Sequence, residues 1–290
     1  MSTSEGAYYI PHGTKWPILG SISLTLLLGG FASSLNESPS GETFMILGFL
    51  LLMVMLFGWF GTVINESESG TYNDQVDLSF RWGMGWFIFS EVMFFAAFFG
   101  ALYYTRIYSV PWLGGEGVGG VGNAVAQLWP NYQAMWPTNG PGNIGGDFQT
   151  MGALGIPALN TAILLTSGGT VTMAHWAIIK EDRPKFVLWL LATVVLGFTF
   201  VGFQAYEYIH AFTELNLTLN SGVYGSTFYM LTGFHGLHVS IGAIMLSIMM
   251  FRGMRGHFTA KNHFAFEAAA WYWHFVDVVW LGLYIFVYWL

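Results

Sequence analysis

Glu91 stands near the middle of a continuous apolar run, in Ser90-Glu91-Val92-Met93-Phe94-Phe95. An isolated carboxylate in hydrocarbon is costly, so this one has to be protonated, hydrogen-bonded or turned toward a polar cavity. Two roles are open to it: a proton relay or lipid-cavity group, and a neutral carboxyl that pins neighbouring helices. Asp277 lies midway along another apolar run with His274 three residues before it. On a helix that spacing puts both on one face, where an ion pair or a neutral hydrogen bond forms, and structural pinning is the favoured reading. His235 and His238 share a face in Gly233-Phe234-His235-Gly236-Leu237-His238. Histidines so placed suggest haem or metal ligands. A pair on one helix cannot ligate both faces of one haem, however, and no matching pair stands elsewhere, so interhelical hydrogen bonding is favoured. Glu207 and Glu267 fall near the ends of apolar runs, where water is within reach. His175, His210 and His263 also fall at run ends and read as interfacial. Arg252, Arg255, His257 and Lys261 make a compact basic cluster suited to an anionic lipid headgroup, with simple charge topology as an equal alternative.

The elements that hold these groups follow from composition. Of 290 residues only nine are Lys or Arg and sixteen Asp or Glu, so 9% of the chain is charged. A soluble domain carries roughly 25%. Hydrophobic residues reach 54%, aromatics 18%, and the mean hydropathy is +0.53. These values exclude a water-soluble globule and, equally, a disordered chain. A net charge of -7 argues against nucleic acid as a partner. Cysteine is absent, which removes disulfides, thiolate zinc sites, iron–sulfur clusters and cysteine-ligated copper. Met1 to Lys15 is polar and predicts no cleaved signal peptide. No P-loop, dinucleotide fingerprint, HExxH motif or placeable triad occurs, and no metal site can be assembled.

Seven runs are long enough to cross roughly 30 Å of hydrocarbon: Trp16–Leu35, Thr43–Ile64, Phe80–Thr105, Ala153–Ile179, Phe186–Ile209, Tyr224–Phe251 and Ala265–Leu290. Each is continuous rather than alternating, which predicts an all-α polytopic membrane protein rather than a barrel. With the N-terminus inside and the C-terminus outside, Lys15, Arg81, Lys180, Arg183, Lys185, Arg252, Arg255 and Lys261 fall on the inner side and only Arg106 on the outer. This is a strong positive-inside bias. The expected organisation is residues 1–64 with the first two helices, an inner polar linker 65–79, and a five-helix group 80–290. The last carries a long outer loop, 106–152, rich in Gly, Pro and Trp. A loop of that length usually serves a function or packs against something. Trp16, Trp59, Trp82, Trp112, Trp176, Trp271 and Trp289 near span ends read as an aromatic belt.

The segment Phe266-Glu267-Ala268-Ala269-Ala270-Trp271-Tyr272-Trp273-His274-Phe275-Val276-Asp277-Val278-Val279-Trp280 resembles the signature of subunit III of cytochrome c oxidase. So do Gly222-Val223-Tyr224-Gly225-Ser226-Thr227-Phe228 and Gly233 to Val239. Further matches are Arg81-Trp82-Gly83-Met84, Ser90-Glu91-Val92, Leu159-Asn160-Thr161 and Ser167-Gly168. Together they run from about residue 59 to the C-terminus.

The resemblance implies a non-catalytic core subunit of a proton-translocating haem–copper oxidase. It holds no redox centre of its own, while subunits I and II carry the haems and copper and cytochrome c donates electrons to the complex. It also implies a V-shaped cleft between the first two helices and the other five, filled by phospholipid. By position, Glu91 matches a carbodiimide-reactive buried carboxyl beside that cleft. Arg252, Arg255, His257 and Thr259 match lipid-headgroup positions, and Trp59 and Glu66 fall in a further lipid-contact segment. There Gly61, Thr62 and Asn65 replace charged residues usual in mitochondrial relatives. The loop exceeds the mitochondrial pattern, which points to a bacterial inner membrane; a eukaryotic source would place the chain in the mitochondrial inner membrane. Subunit III of a quinol oxidase is the nearest rival, but such chains usually lack the first two helices. A proton-coupled transporter using Glu91 and Asp277, or a cytochrome using His235, His238 and His274, are rivals of other classes.

Overall fold

A computed structural model describes residues 13–117 and 128–289; the N-terminal segment before residue 13 and part of the long loop lie outside the described residues. Seven helices are long and apolar enough to cross a membrane, and no strand occurs among the described residues. They are α1 (Trp16–Leu35), α2 (Gly41–Glu68), α3 (Asp74–Tyr104), α4 (Ile156–Ile179), α5 (Arg183–Thr213), α6 (Gly222–Met254) and α7 (Phe264–Leu283). A π-helical turn, Thr105–Ser109, and a last turn, Val110–Leu113, prolong α3, so the helix enters the segment expected to be loop from residue 106. Another π turn, Tyr284–Trp289, ends α7. The helices outrun their apolar cores at polar ends: α2 continues to Glu68 and α3 begins at Asp74, inside the expected linker 65–79.

The chain divides into two compact units, Met1–Trp82 and Gly83–Leu290. In the first, α1 packs on α2 through small residues. Gly20, Ser23 and Gly30 are buried on α1, and Gly41, Gly48 and Met55 on α2. The seven-residue spacing of the α2 positions keeps one narrow face toward α1, while the large apolar side chains point outward. Lipid tails are as apolar as leucine, so close backbone approach rather than the hydrophobic effect holds such a pair. The Trp16 indole N–H donates to Thr62 Oγ1 at 3.2 Å and ties the polar end of the pair.

In the second unit, α4, α5, α6 and α7 pack in sequence and α7 closes back on α4. Its axis is a ladder on α7 at seven-residue spacing: Phe266, Trp273 and Trp280 are fully buried. Buried indole N–H groups need partners, and hydroxyls on α4 supply them. Trp273 Nε1 donates to Ser167 Oγ and Trp280 Nε1 to Thr161 Oγ1, both at 2.9 Å. Belt tryptophans contrast with these, Trp82 and Trp176 being 65% and 56% exposed. At the N-terminus of α5, the Asp182 side chain accepts from the Lys185 amide. The hydrogen bond from the Lys185 side chain holds the Asp182 carboxyl below the usual carboxylate range.

Between residues 128 and 155 the long loop packs on its own chain. The Asn216 amide donates to the Gly145 and Asp147 carbonyls at 3.1 and 2.9 Å, and Gln149 N–H donates to Leu215 O at 2.9 Å. Gly222, at φ +60°, lets the start of α6 pass against the Asn139 backbone, where a Cβ would stand 2.4 Å from its carbonyl oxygen. The Arg106 guanidinium covers the Trp136 ring at 5.9 Å. An open depression of about 650 Å³, lined by residues including Thr138, Asn139, Asp147 and Gln149, lies in this layer.

Candidate functional site

Glu91, from the middle of α3, meets His238 of α6: Glu91 Oε2 lies 2.8 Å from His238 Nε2. The other ring nitrogen, Nδ1, stands 2.6 Å from the Phe234 carbonyl one turn earlier, and a carbonyl only accepts, so Nδ1 carries a hydrogen. With Nδ1 protonated, the Glu91–His238 bridge holds a single proton. Either a neutral carboxyl donates to a neutral imidazole, or an imidazolium donates to a carboxylate. Two bare acceptors would not approach to 2.8 Å. Aromatic rings dry the pair: Phe95, Phe94 and Tyr272 lie 5.0, 5.9 and 6.3 Å from the His238 ring centroid. The side chains retain 21% and 11% exposure, so one side of the bridge stays open.

His235, one turn before His238, is fully buried and donates through Nε2 to the Val276 carbonyl at 3.2 Å. Both histidines of this helix therefore engage other helices, and this donor set does not fit a haem. Among the described residues no three His, Cys, Asp or Glu side chains converge as a metal site.

His274 Nδ1 lies 3.4 Å from Asp277 Oδ2, and His274 Nε2 lies 3.4 Å from Thr172 Oγ1 of α4. Asp277 sits against Gly168, its Oδ1 accepting no hydrogen bond. Gly168 therefore leaves room for a carboxyl at the α4–α7 seam.

The basic cluster gathers where α6 ends. Arg252 is buried, with its guanidinium over the Phe258 ring at 4.9 Å, and the His257 N–H donates to the Arg252 carbonyl at 3.1 Å. Gly256, at φ +81°, makes space for Arg183 of α5, whose guanidinium stands 2.8 Å from where a Cβ would be. Arg183 thus joins Arg252, Arg255 and His257, a neighbour that only the tertiary structure reveals. Thr259 serves its own loop: its hydroxyl accepts the Asn262 N–H at 3.0 Å. In the other unit, Trp59 is 45% exposed and Glu66 accepts from Tyr72 Oη at 2.7 Å.

One expectation is overturned. Glu207, read as lying within reach of water, is 1% exposed and neither carboxyl oxygen has a hydrogen-bond partner. Helix α5 runs on to Thr213, and Ala211 and Leu217 further along the chain are fully buried as well. Gln204, one turn before, donates to Thr232 O at 2.7 Å, and Tyr208 Oη lies 2.7 Å from Thr232 Oγ1.

The family model for cytochrome c oxidase subunit III matches residues 6–290. Proteins named cytochrome c oxidase subunit 3 from Carassius auratus and Homo sapiens are each 39% identical over 290 residues, covering 100% of this chain and 99% of theirs. The one from Gadus morhua is 40% identical with the same coverage. The chain belongs to the cytochrome c oxidase subunit III family.

Proposed function

We propose that the chain acts as the non-catalytic third core subunit of a proton-translocating cytochrome c oxidase. It stabilises subunit I, holds phospholipid and keeps proton uptake fast, while electrons pass from cytochrome c to oxygen over the haems and copper of subunits I and II. The observation that carries this reading is similarity to subunit III along the whole chain, including α1 and α2. Those two helices favour cytochrome c over quinol as the electron donor. The distribution of cations supports an inside N-terminus, and the long loop favours a bacterial inner membrane. Arg252, Arg255, His257 and Thr259 serve one headgroup, Trp59 and Glu66 another, and Glu91 borders the acyl chains. His274 and Asp277 pin α4 to α7.

The chain purified in mild detergent should carry haem-bearing partners with it; recovery free of any haem protein would refute the assignment. The role of Glu91 is separable. Glu91→Gln can still donate to His238 Nε2, so assembly and haem reduction by cytochrome c should match the wild type. Glu91→Leu leaves that nitrogen buried without a partner, at a cost of about 1–3 kcal/mol, and should lower the thermal midpoint. Loss of haem reduction in Glu91→Gln would show a direct part in electron transfer and sink the indirect role.

A further inference from the structure

Glu207 of α5 is 1% exposed, and neither of its carboxyl oxygens has a hydrogen-bond partner in the protein. Gln204, one turn earlier on the same face, is 5% exposed, and its Oε1 is likewise unpartnered. Gln204 Nε2 donates to the Thr232 carbonyl, which fixes the amide so that Oε1 can only accept. The hydroxyls of Thr232, Tyr208 and Tyr229 have already given their hydrogens. Thr232 Oγ1 donates to the Phe228 carbonyl at 2.7 Å, so its 2.7 Å contact with Tyr208 Oη uses the tyrosine's hydrogen. Tyr229 Oη donates to the Leu217 carbonyl at 2.6 Å. A bare carboxylate among acceptors is costly, so Glu207 keeps its proton. It then has one hydrogen to give, and Gln204 Oε1 has one to receive. Cβ atoms three positions apart on a helix are about 5–6 Å from each other. One water, with two hydrogen bonds of about 2.7–2.8 Å, spans such a gap. Buried waters characteristically serve polar groups that the protein leaves unsatisfied.

We propose that Glu207 and Gln204 hold a buried water molecule between α5 and α6. The protonated Glu207 carboxyl donates to the water, and the water donates to Gln204 Oε1. Held in this way, two side chains rich in acceptor atoms lie inside the bundle without a charge. No residue of the Glu91–His238 bridge or of the basic cluster takes part.

The test is X-ray radiolytic footprinting, read by mass spectrometry, of the detergent-purified protein with its co-purifying subunits. Radiolysis of a held water releases hydroxyl radical on the spot, so rings beside it are hydroxylated although bulk solvent does not reach them. The Phe228 ring, 1% exposed, lies 6.4 Å from Tyr208 and 5.7 Å from Tyr288. It should be labelled several-fold more than Phe186, which is as deeply buried but packs on the rings of Phe258 and Phe266. Equal labelling of the two would overturn the proposal. Glu207→Met keeps the volume and removes the donor, so its Phe228 label should fall to the Phe186 level; an unchanged label would overturn it as well. Should that variant fail to assemble, the wild-type ratio still decides. Glu207→Gln should remove from the infrared spectrum one carbonyl stretch of a hydrogen-bonded carboxylic acid. Loss of a carboxylate band, or of the stretch of a free acid, would also overturn the proposal.

Discussion

Trp273→Ala lowers the stability of the α4–α7 bundle by about 3–5 kcal/mol, at the upper end for a single buried side chain. The indole is fully buried at the centre of four helices. Its edge lies so near Gly197 of α5 that a Cβ there would stand 2.6 Å from Cη2, and so near Gly242 of α6 that one would stand 2.8 Å from Cε3. Ser167 of α4 takes its N–H. Rigid backbone on two sides cannot collapse into the space left behind, so the cavity persists. Trp273→Phe should cost less, losing one hydrogen bond worth about 0.5–1.5 kcal/mol and part of the volume. Thermal unfolding in detergent reads the series, with Trp86→Ala as control, since Trp86 is 65% exposed and its loss should stay within about 0.5 kcal/mol. Equal shifts for Trp273→Ala and Trp86→Ala would show that the indole is not the keystone described.

Gly48→Leu separates α1 from α2. A Cβ at Gly48 would lie 2.8 Å from the Ser23 carbonyl oxygen, and one at Gly30 would lie 2.6 Å from the Met45 amide nitrogen. These obstacles are backbone atoms, which cannot swing aside as a side-chain tip can. Overpacking usually costs about 1–3 kcal/mol, and a whole isobutyl group against backbone belongs at or above the top of that range. Gly61→Leu is the control, because nothing lies within 4 Å of a Cβ at that position on the same helix. Helix propensity and hydropathy change alike in both variants, so the difference in unfolding midpoint isolates the close approach. If both variants shift the midpoint equally, backbone contact does not hold the pair.

Depth along the membrane normal was legible in the residues; direction around each helix was not. Continuous apolar runs marked all seven spans, and the expected bounds of the first coincide with α1, Trp16–Leu35. Glu207 shows the limit. Its place near the end of an apolar run suggested water, yet the helix continues for nearly two turns and the side chain is 1% exposed. His175 and His263, whose Nε2 atoms stand 3.3 Å apart, likewise read as two unrelated interfacial residues, since nothing in a single sequence links positions 88 apart. The π turn after α3 escaped notice because Gly and Pro punctuation follows it only from Pro111 onward. The candidate site divides in the same way. The cost of placing Glu91 in an apolar run announced it as important, whereas its partner His238 lies 147 residues away and required the fold.

The Glu91–His238 bridge holds one proton between two atoms that can each carry it. Because the Phe234 carbonyl claims one ring hydrogen, shifting the single bridging proton between two atoms 2.8 Å apart converts a neutral hydrogen bond into an ion pair without changing the total charge. What changes is the dipole moment. Such a shift moves charge between α3 and α6 while exchanging none with the water outside.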